Sequence, residues 1–181
     1  MSNENPMKMG DAQLVEAVLR GNTGAQREFF ERFSRKMFGV CLRYAASREE
    51  AEDLLQEGFL KAFRTLQGYR GEGALEAWLR KVVVNTALEQ LRKQRLQWTE
   101  LDTSEEPTAP PEILERLAAT DLLEHIRSLP EGYRAVFNLY AVEGYTHQEI
   151  ARLLNISEGT SKSQYARARA SLVRAIEQHK P

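Results

Sequence analysis

The sequence predicts an all-α protein made of two small helical domains joined by a linker. Three observations carry that prediction. Apolar residues recur at helical spacing along most of the 181-residue chain, and no useful length of it alternates as a strand would. Two capping boxes, Ser47-x-x-Glu50 and Thr146-x-x-Glu149, mark helix starts whose orphan N–H groups find a side-chain oxygen. Residues 99–111, TELDTSEEPTAPP, are acidic, hold three prolines and have no apolar period, so they read as an exposed linker. The expected units are 1–98, the linker 99–111, and 112–181.

Composition narrows the class. Apolar residues make up 42% and charged residues 28%, as in a soluble globular chain. No run approaches a membrane span, so no membrane insertion is expected. The start, MSNENPMKMGDAQ, lacks the apolar stretch of a signal peptide. Cys41 is the only cysteine, which leaves no intramolecular disulfide and no thiolate zinc site. A cytoplasmic location is expected. The formal net charge is -1, so any nucleic-acid binding must come from local patches.

In chain order, Asp11 can cap a first helix with Leu14, Val15, Val18 and Leu19 on its apolar side, ended by Gly21-Asn22-Thr23-Gly24. A longer helix carries Phe29, Phe30, Phe33, Met37, Phe38, Cys41 and Tyr44, an aromatic stripe that reads as core. The next helix opens at Ser47 and stops before Gly68. Leu55, Phe59, Ala62, Phe63 and Leu66 form one side of it. Asp53, Gln56, Glu57 and Leu60 form another, either a solvated acidic face or a dock for a basic partner.

A loop, Gly68-Tyr69-Arg70-Gly71-Glu72-Gly73, follows, without the lysine of a phosphate loop. The helix after it is apolar at Leu75, Trp78, Leu79, Val82, Val83 and Leu88, and Arg80, Lys81, Asn85, Arg92, Lys93 and Arg95 crowd the rest. Cations beside aromatic rings suit single-stranded nucleic acid, although Trp78 reads equally as core. Beyond the linker, 111–128 forms a helix with Ile126 among its core positions. Leu129-Pro130 starts another, with Val136, Phe137 and Tyr140 as core candidates.

The chain is organised around 144–176. Asn155-Ile156 breaks the helix that Thr146 starts, and Ser157 caps the next. At 100° per residue, Ser161, Tyr165, Ala168, Leu172 and Ile176 share one stripe. Thr160, Ser163, Arg167 and Arg174 share the opposite one, flanked by Lys162 and Arg169. A helix that packs on one face and offers hydroxyls and guanidiniums on the other is built like a major-groove reader; a solvated basic face has the same pattern. No nucleophile is paired with an evident base, and His125, His147 and His179 lack ligand spacing. Neither catalysis nor a cofactor or metal is expected.

These residues carry a resemblance. The segment DLLQEGFLKAFRTLQGYRGEGALEAWLRKVVVNTALEQLRK resembles region 2 of bacterial RNA polymerase sigma factors of the extracytoplasmic-function group. LPEGYRAVFNLYAVEGYTHQEIARLLNISEGTSKSQYARARASL resembles region 4 of the same sigma-70 family group. The resemblance implies a sigma factor that binds core RNA polymerase, recognises the −35 and −10 promoter elements and promotes DNA melting.

It gives Asp53, Leu54, Gln56 and Glu57 to core polymerase. Residues 69–77, with Tyr69 and Arg70, go to the −10 base-capture loop, Trp78 to the −10 element, and Arg80, Lys81, Asn85 and Arg92 to the melted non-template strand. Thr160, Lys162, Ser163, Ala166 and Arg167 go to the −35 element. An anti-sigma factor is a possible further partner. The chain departs from the family pattern at Leu75 (usually aromatic), Ser161 (usually Val) and Asn155 (often Gly). A response-regulator output domain would need an upstream receiver with strands, which the sequence lacks; a helical adaptor that binds no DNA is a third reading.

Overall fold

The computed structural model describes residues 9–94 and 119–178; the linker 99–111 and the start of the helix expected over 111–128 lie outside them. Every regular element in the described residues is helical, as the periodicity predicts. The first half contains α1 (Asp11–Leu19), α2 (Thr23–Tyr44), α3 (Arg48–Thr65), a short 3-10 turn (Leu66–Gly68) and α4 (Leu75–Gln94). The second contains α5 (Ala119–Ser128), α6 (Glu131–Phe137), a π turn (Asn138–Val142), α7 (His147–Leu154) and α8 (Glu158–Gln178).

The local signals act as read, with two exceptions: Asp11 is not the α1 cap, and Glu50 accepts from the Ala46 N–H at 2.8 Å rather than closing its box on Ser47. Ser47 Oγ accepts the Glu50 N–H at 3.1 Å, and Thr146 with Glu149 forms the reciprocal box. Asn155 ends α7 in the left-handed conformation at φ 52°. Asp11 does not cap α1; Gly10 stands at that N-cap. The Asp11 carboxylate instead accepts from Arg32 at 3.3 Å and from the Leu75 N–H, at the start of α4, at 3.4 Å. Asn22, expected only to end α1, also caps α2 by accepting the Ala25 N–H at 3.0 Å.

The first half packs α2, α3 and α4 around one core. Phe29, wholly buried, meets Phe33, Phe59 and Phe63 with ring centroids 5.2, 6.0 and 5.4 Å away. Cys41 lies in the same core, and burial pushes its thiol up to about 12, which makes it an inert space-filler. Gly58 lets α3 approach α4 closely, since a Cβ there would sit 3.0 Å from Val83 Cγ2. Leu75, Leu79, Val83 and Thr86 form one buried stripe of α4.

A second stripe of α4, through Val84, Ala87 and Leu91, is also buried, and α7 lies against this helix. α5 and α6 lie against α2. Ala135, Val136, Leu139, Ile150 and Leu154 of the second half therefore belong to the same continuous core as the first. A smaller cluster, Ile126, Leu129, Phe137, Ala168 and Leu172, holds α8 on α5 and α6. Tyr140, expected in the core, is 39% exposed. It stacks on His147 with centroids 4.3 Å apart because the π turn rotates it outward.

Candidate nucleic-acid and docking interfaces

The acidic side of α3 is exposed at Asp53, Gln56, Glu57 and Leu60, as the helical spacing requires. Glu57 accepts a hydrogen bond from Gln90 Nε2 at 2.5 Å, which ties this face to α4. Leu54 is a correction: it is buried in the core at the contact of α3 with its neighbours and supports the face rather than forming it. Beside the charges lies an apolar groove of about 380 Å³ lined by Phe30, Leu55, Phe59, Leu60 and Phe63, with Glu52 and Gln56 at its edge. Phe30 is 42% and Leu60 49% exposed. Sequence reasoning placed Phe30 in the core; the groove is invisible from one helix because α2 and α3 each supply part of it.

The loop between the 3-10 turn and α4 is closed on itself. The Tyr69 hydroxyl donates to the Gly73 carbonyl at 2.7 Å, and its ring packs on Trp78 at 5.7 Å. Gly71 and Gly73 adopt φ of 75° and 81°, a region that costs an L side chain strain but glycine none. Leu75 is fully buried and anchors the loop end. Arg70 is exposed, and Trp78 is half-buried, between the core and surface readings.

On α4, Lys81, Asn85 and Arg92 are exposed, but Arg80 is engaged. Its Nε and Nη2 donate to the Glu143 carboxylate at 2.7 and 2.8 Å. That hydrogen-bonded pairing raises the Arg80 guanidinium above its usual range. Glu143, only 8% exposed at its side chain, also faces Arg43 at 3.5 Å. Nothing local in the sequence marks Glu143, because its partners are 63 and 100 positions away.

In the helix-turn-helix, α8 packs through Ser161, Ala168 and Leu172, with Tyr165 half-buried. Ser161 Oγ lies 2.9 Å from His147 Nδ1, joining α7 to α8. Burial and the nearby Lys162 hold His147 below its usual range, so this contact uses a neutral ring at neutral pH. At the flank of the opposite stripe Lys162 is exposed and pairs with Glu158 at 2.8 Å. Thr160, Ser163, Ala166 and Arg167 are half-buried. Ser163 Oγ donates to the Thr160 carbonyl at 3.1 Å, Thr160 Oγ1 meets Ser157 Oγ at 2.8 Å, and Arg167 Nη1 reaches Tyr133 Oη at 3.5 Å. Of the four stripe residues only Arg174 is exposed, and the Thr160 and Ser163 hydroxyls bond within the first turns of α8.

Two family profiles match this chain. The profile described as Sigma-70 region 2 matches residues 29–97, and that described as Sigma-70, region 4 matches residues 119–172. The chain is 30% identical to the RNA polymerase sigma-H factor of Pseudomonas aeruginosa, over 92% of its own length and 94% of that protein. It is 32% identical to the ECF RNA polymerase sigma factor SigM of Mycobacterium tuberculosis, over 92% and 84% respectively. Its fold is similar to that of the sigma factor RpoE from Bartonella quintana, solved in complex with the anti-sigma factor NepR. That likeness has a TM-score of 0.52 at 21% identity and covers 85% of this chain and 98% of that one.

Proposed function

The chain belongs to the sigma-70 family of RNA polymerase sigma factors, a non-enzymatic class that acts in transcription initiation; from that premise we propose how each surface serves it. The α3 face with Asp53, Gln56 and Glu57 and the adjoining apolar groove docks on core polymerase. The loop with Tyr69 and Arg70, with Trp78 of α4 against the Tyr69 ring, takes an unstacked −10 base. Arg80, Lys81, Asn85 and Arg92 hold the melted strand, and α8 reads the −35 element. Phosphate contacts set position and groove contacts set sequence. Unstacking costs a few kcal/mol per step, which a captured base and a held strand offset. A partner of the anti-sigma kind belongs to the same proposal.

The observation that supports this reading best is the order of the two family matches, region 2 then region 4, each over residues that carry the corresponding surface. The direct test is transcription from a randomised promoter library by core polymerase supplemented with this chain. Enrichment of paired −35 and −10 motifs is expected; transcripts without promoter preference would sink the proposal.

Arg167→Ala is expected to cost about 1–3 kcal/mol and to relax preference at one −35 position, since arginine can bond bidentately to a guanine edge once it leaves Tyr133. Lys162→Ala should instead weaken all sequences alike and lower the salt slope by about one unit. Both are read with holoenzyme on single-base −35 variants. A uniform loss for Arg167→Ala would make that residue a backbone clamp.

We further propose the boundaries 1–98, 99–111 and 112–181. Limited proteolysis should cut within 99–111, because its prolines and charges favour exposure. The two fragments should then co-elute on gel filtration, since the halves share a buried core. Resistance of 99–111 to cleavage would argue against those boundaries.

A further inference from the structure

The two helices of the helix-turn-helix are pinned together near their starts. His147 is the first residue of α7, directly after the Thr146 capping box. Ser161 lies in the first turn of α8, which Ser157 caps by accepting the Thr160 N–H at 2.9 Å. Ser161 is wholly buried, and its hydroxyl meets His147 Nδ1 at 2.9 Å. The imidazole is itself held in place. It stacks on Tyr140 of the π turn at 4.3 Å and 14°. It also meets Tyr165, one turn after Ser161 on α8, at a steep angle with centroids 5.8 Å apart. Tyr140 and Tyr165 close the group at 4.5 Å.

This contact supplies direction. Ala168 and Leu172 seat α8 further along by apolar burial, which is non-directional and resists a roll about the helix axis only weakly. A hydrogen bond weakens steeply as it misaligns. A buried hydroxyl adds nothing to packing that alanine would not, and costs stability unless it is bonded. Its gain is a single defined arrangement. Ser161 lies between Thr160 and Lys162, two positions from Ser163. On a helix with an outer radius of about 5–6 Å, a roll of about 10° carries a side-chain tip about 1 Å sideways. That shift takes a groove hydrogen bond out of range.

We propose that the His147–Ser161 hydrogen bond sets the roll of α8 and so determines which −35 bases it accepts. His147 and Ser161 are then positioning residues for promoter specificity, acting through Thr160 and Ser163. The inference rests on the reading of α8 as the −35 reader proposed above.

The test uses holoenzyme reconstituted from core polymerase and the full chain. It transcribes a template library randomised over the −35 element with a constant −10 element. The readout is base preference at each position, beside the melting temperature of the free chain. Ser161→Ala should flatten preference at the positions read from the first turn of α8 by roughly fivefold or more, the worth of one groove contact. His147→Phe combined with Ser161→Ala keeps a ring on Tyr140 and removes both polar groups, an exchange close to neutral for stability. The double variant should melt within about 2 °C of the wild type, yet read the −35 element as loosely as Ser161→Ala. His147→Asn retains a polar atom near the Nδ1 position and should keep the preference.

Unchanged preference in Ser161→Ala and in the double variant overturns the inference. So does a loss for His147→Asn as large as theirs, which would assign the role to ring packing. Failure of the underlying reading looks different: the wild type itself would then show no base preference over the −35 element.

Discussion

Leu60→Lys is expected to lower affinity for core polymerase at least roughly 30-fold, with no change in the melting temperature. Leu60 is 49% exposed at the lip of the apolar groove, so the folded chain loses little when it is replaced, and lysine is as good a helix former as leucine. A docking surface draws most of its energy from a few apolar anchors near its centre, each worth about 2 kcal/mol or more, while rim charges contribute less. The lysine removes such an anchor and places a cation on a face whose acidic residues suit a basic partner. Asp53→Arg, at the rim, should cost less and should lose its effect at high salt. The measurement is anisotropy of labelled chain titrated with core polymerase at low and high salt. A large loss for Asp53→Arg alongside wild-type binding for Leu60→Lys would show that charge, not the groove, drives docking.

Phe29→Ala should destabilise the protein by about 3–5 kcal/mol, the usual range for emptying a fully buried phenylalanine site. Its ring is the hub of the aromatic cluster, touching Phe33, Phe59 and Phe63. None of those side chains can fill the void without leaving another contact. Because Phe59 and Phe63 also line the groove, the same change should weaken polymerase docking even where the chain remains folded. Denaturant unfolding measures the loss as a lower midpoint with an unchanged slope. A cost below about 1 kcal/mol would mean that the cluster repacks freely, contrary to its close geometry.

What could be read in the sequence was what local rules govern. The Ser47 cap, the Thr146 capping box, the Asn155 stop and the packed stripe of α8 depend on residues within a turn or two, and each stands where the pattern puts it; only the return half of the Ser47 box is displaced, to the Ala46 N–H. The exposed face of α3 followed from helical phase. Leu54 was assigned to that face by resemblance, although phase puts it on the buried side. Tyr140 was lost to the π turn, whose extra residue shifts the phase of everything after it. The second buried stripe of α4 and the Arg80–Glu143 pair were illegible because they join residues far apart in the chain. Exposure of Arg80 follows from its own helix only until another helix lies over it.

The close approach of α3 to α4 at Gly58 sets a fixed ruler inside the molecule. With only 3.0 Å between a would-be Cβ and Val83, and with Lys61 bonded to Glu89 at 2.6 Å, the two helices behave as one strut. The outer side of that strut carries the groove and the acidic face; α4 carries the cations proposed to hold DNA. Whatever grips the first side therefore fixes, to within the play of a single helix crossing, where a strand on the second can lie. Registration between a bound machine and its template would then be inherited from the width of two packed helices, with no flexible segment between the two grips.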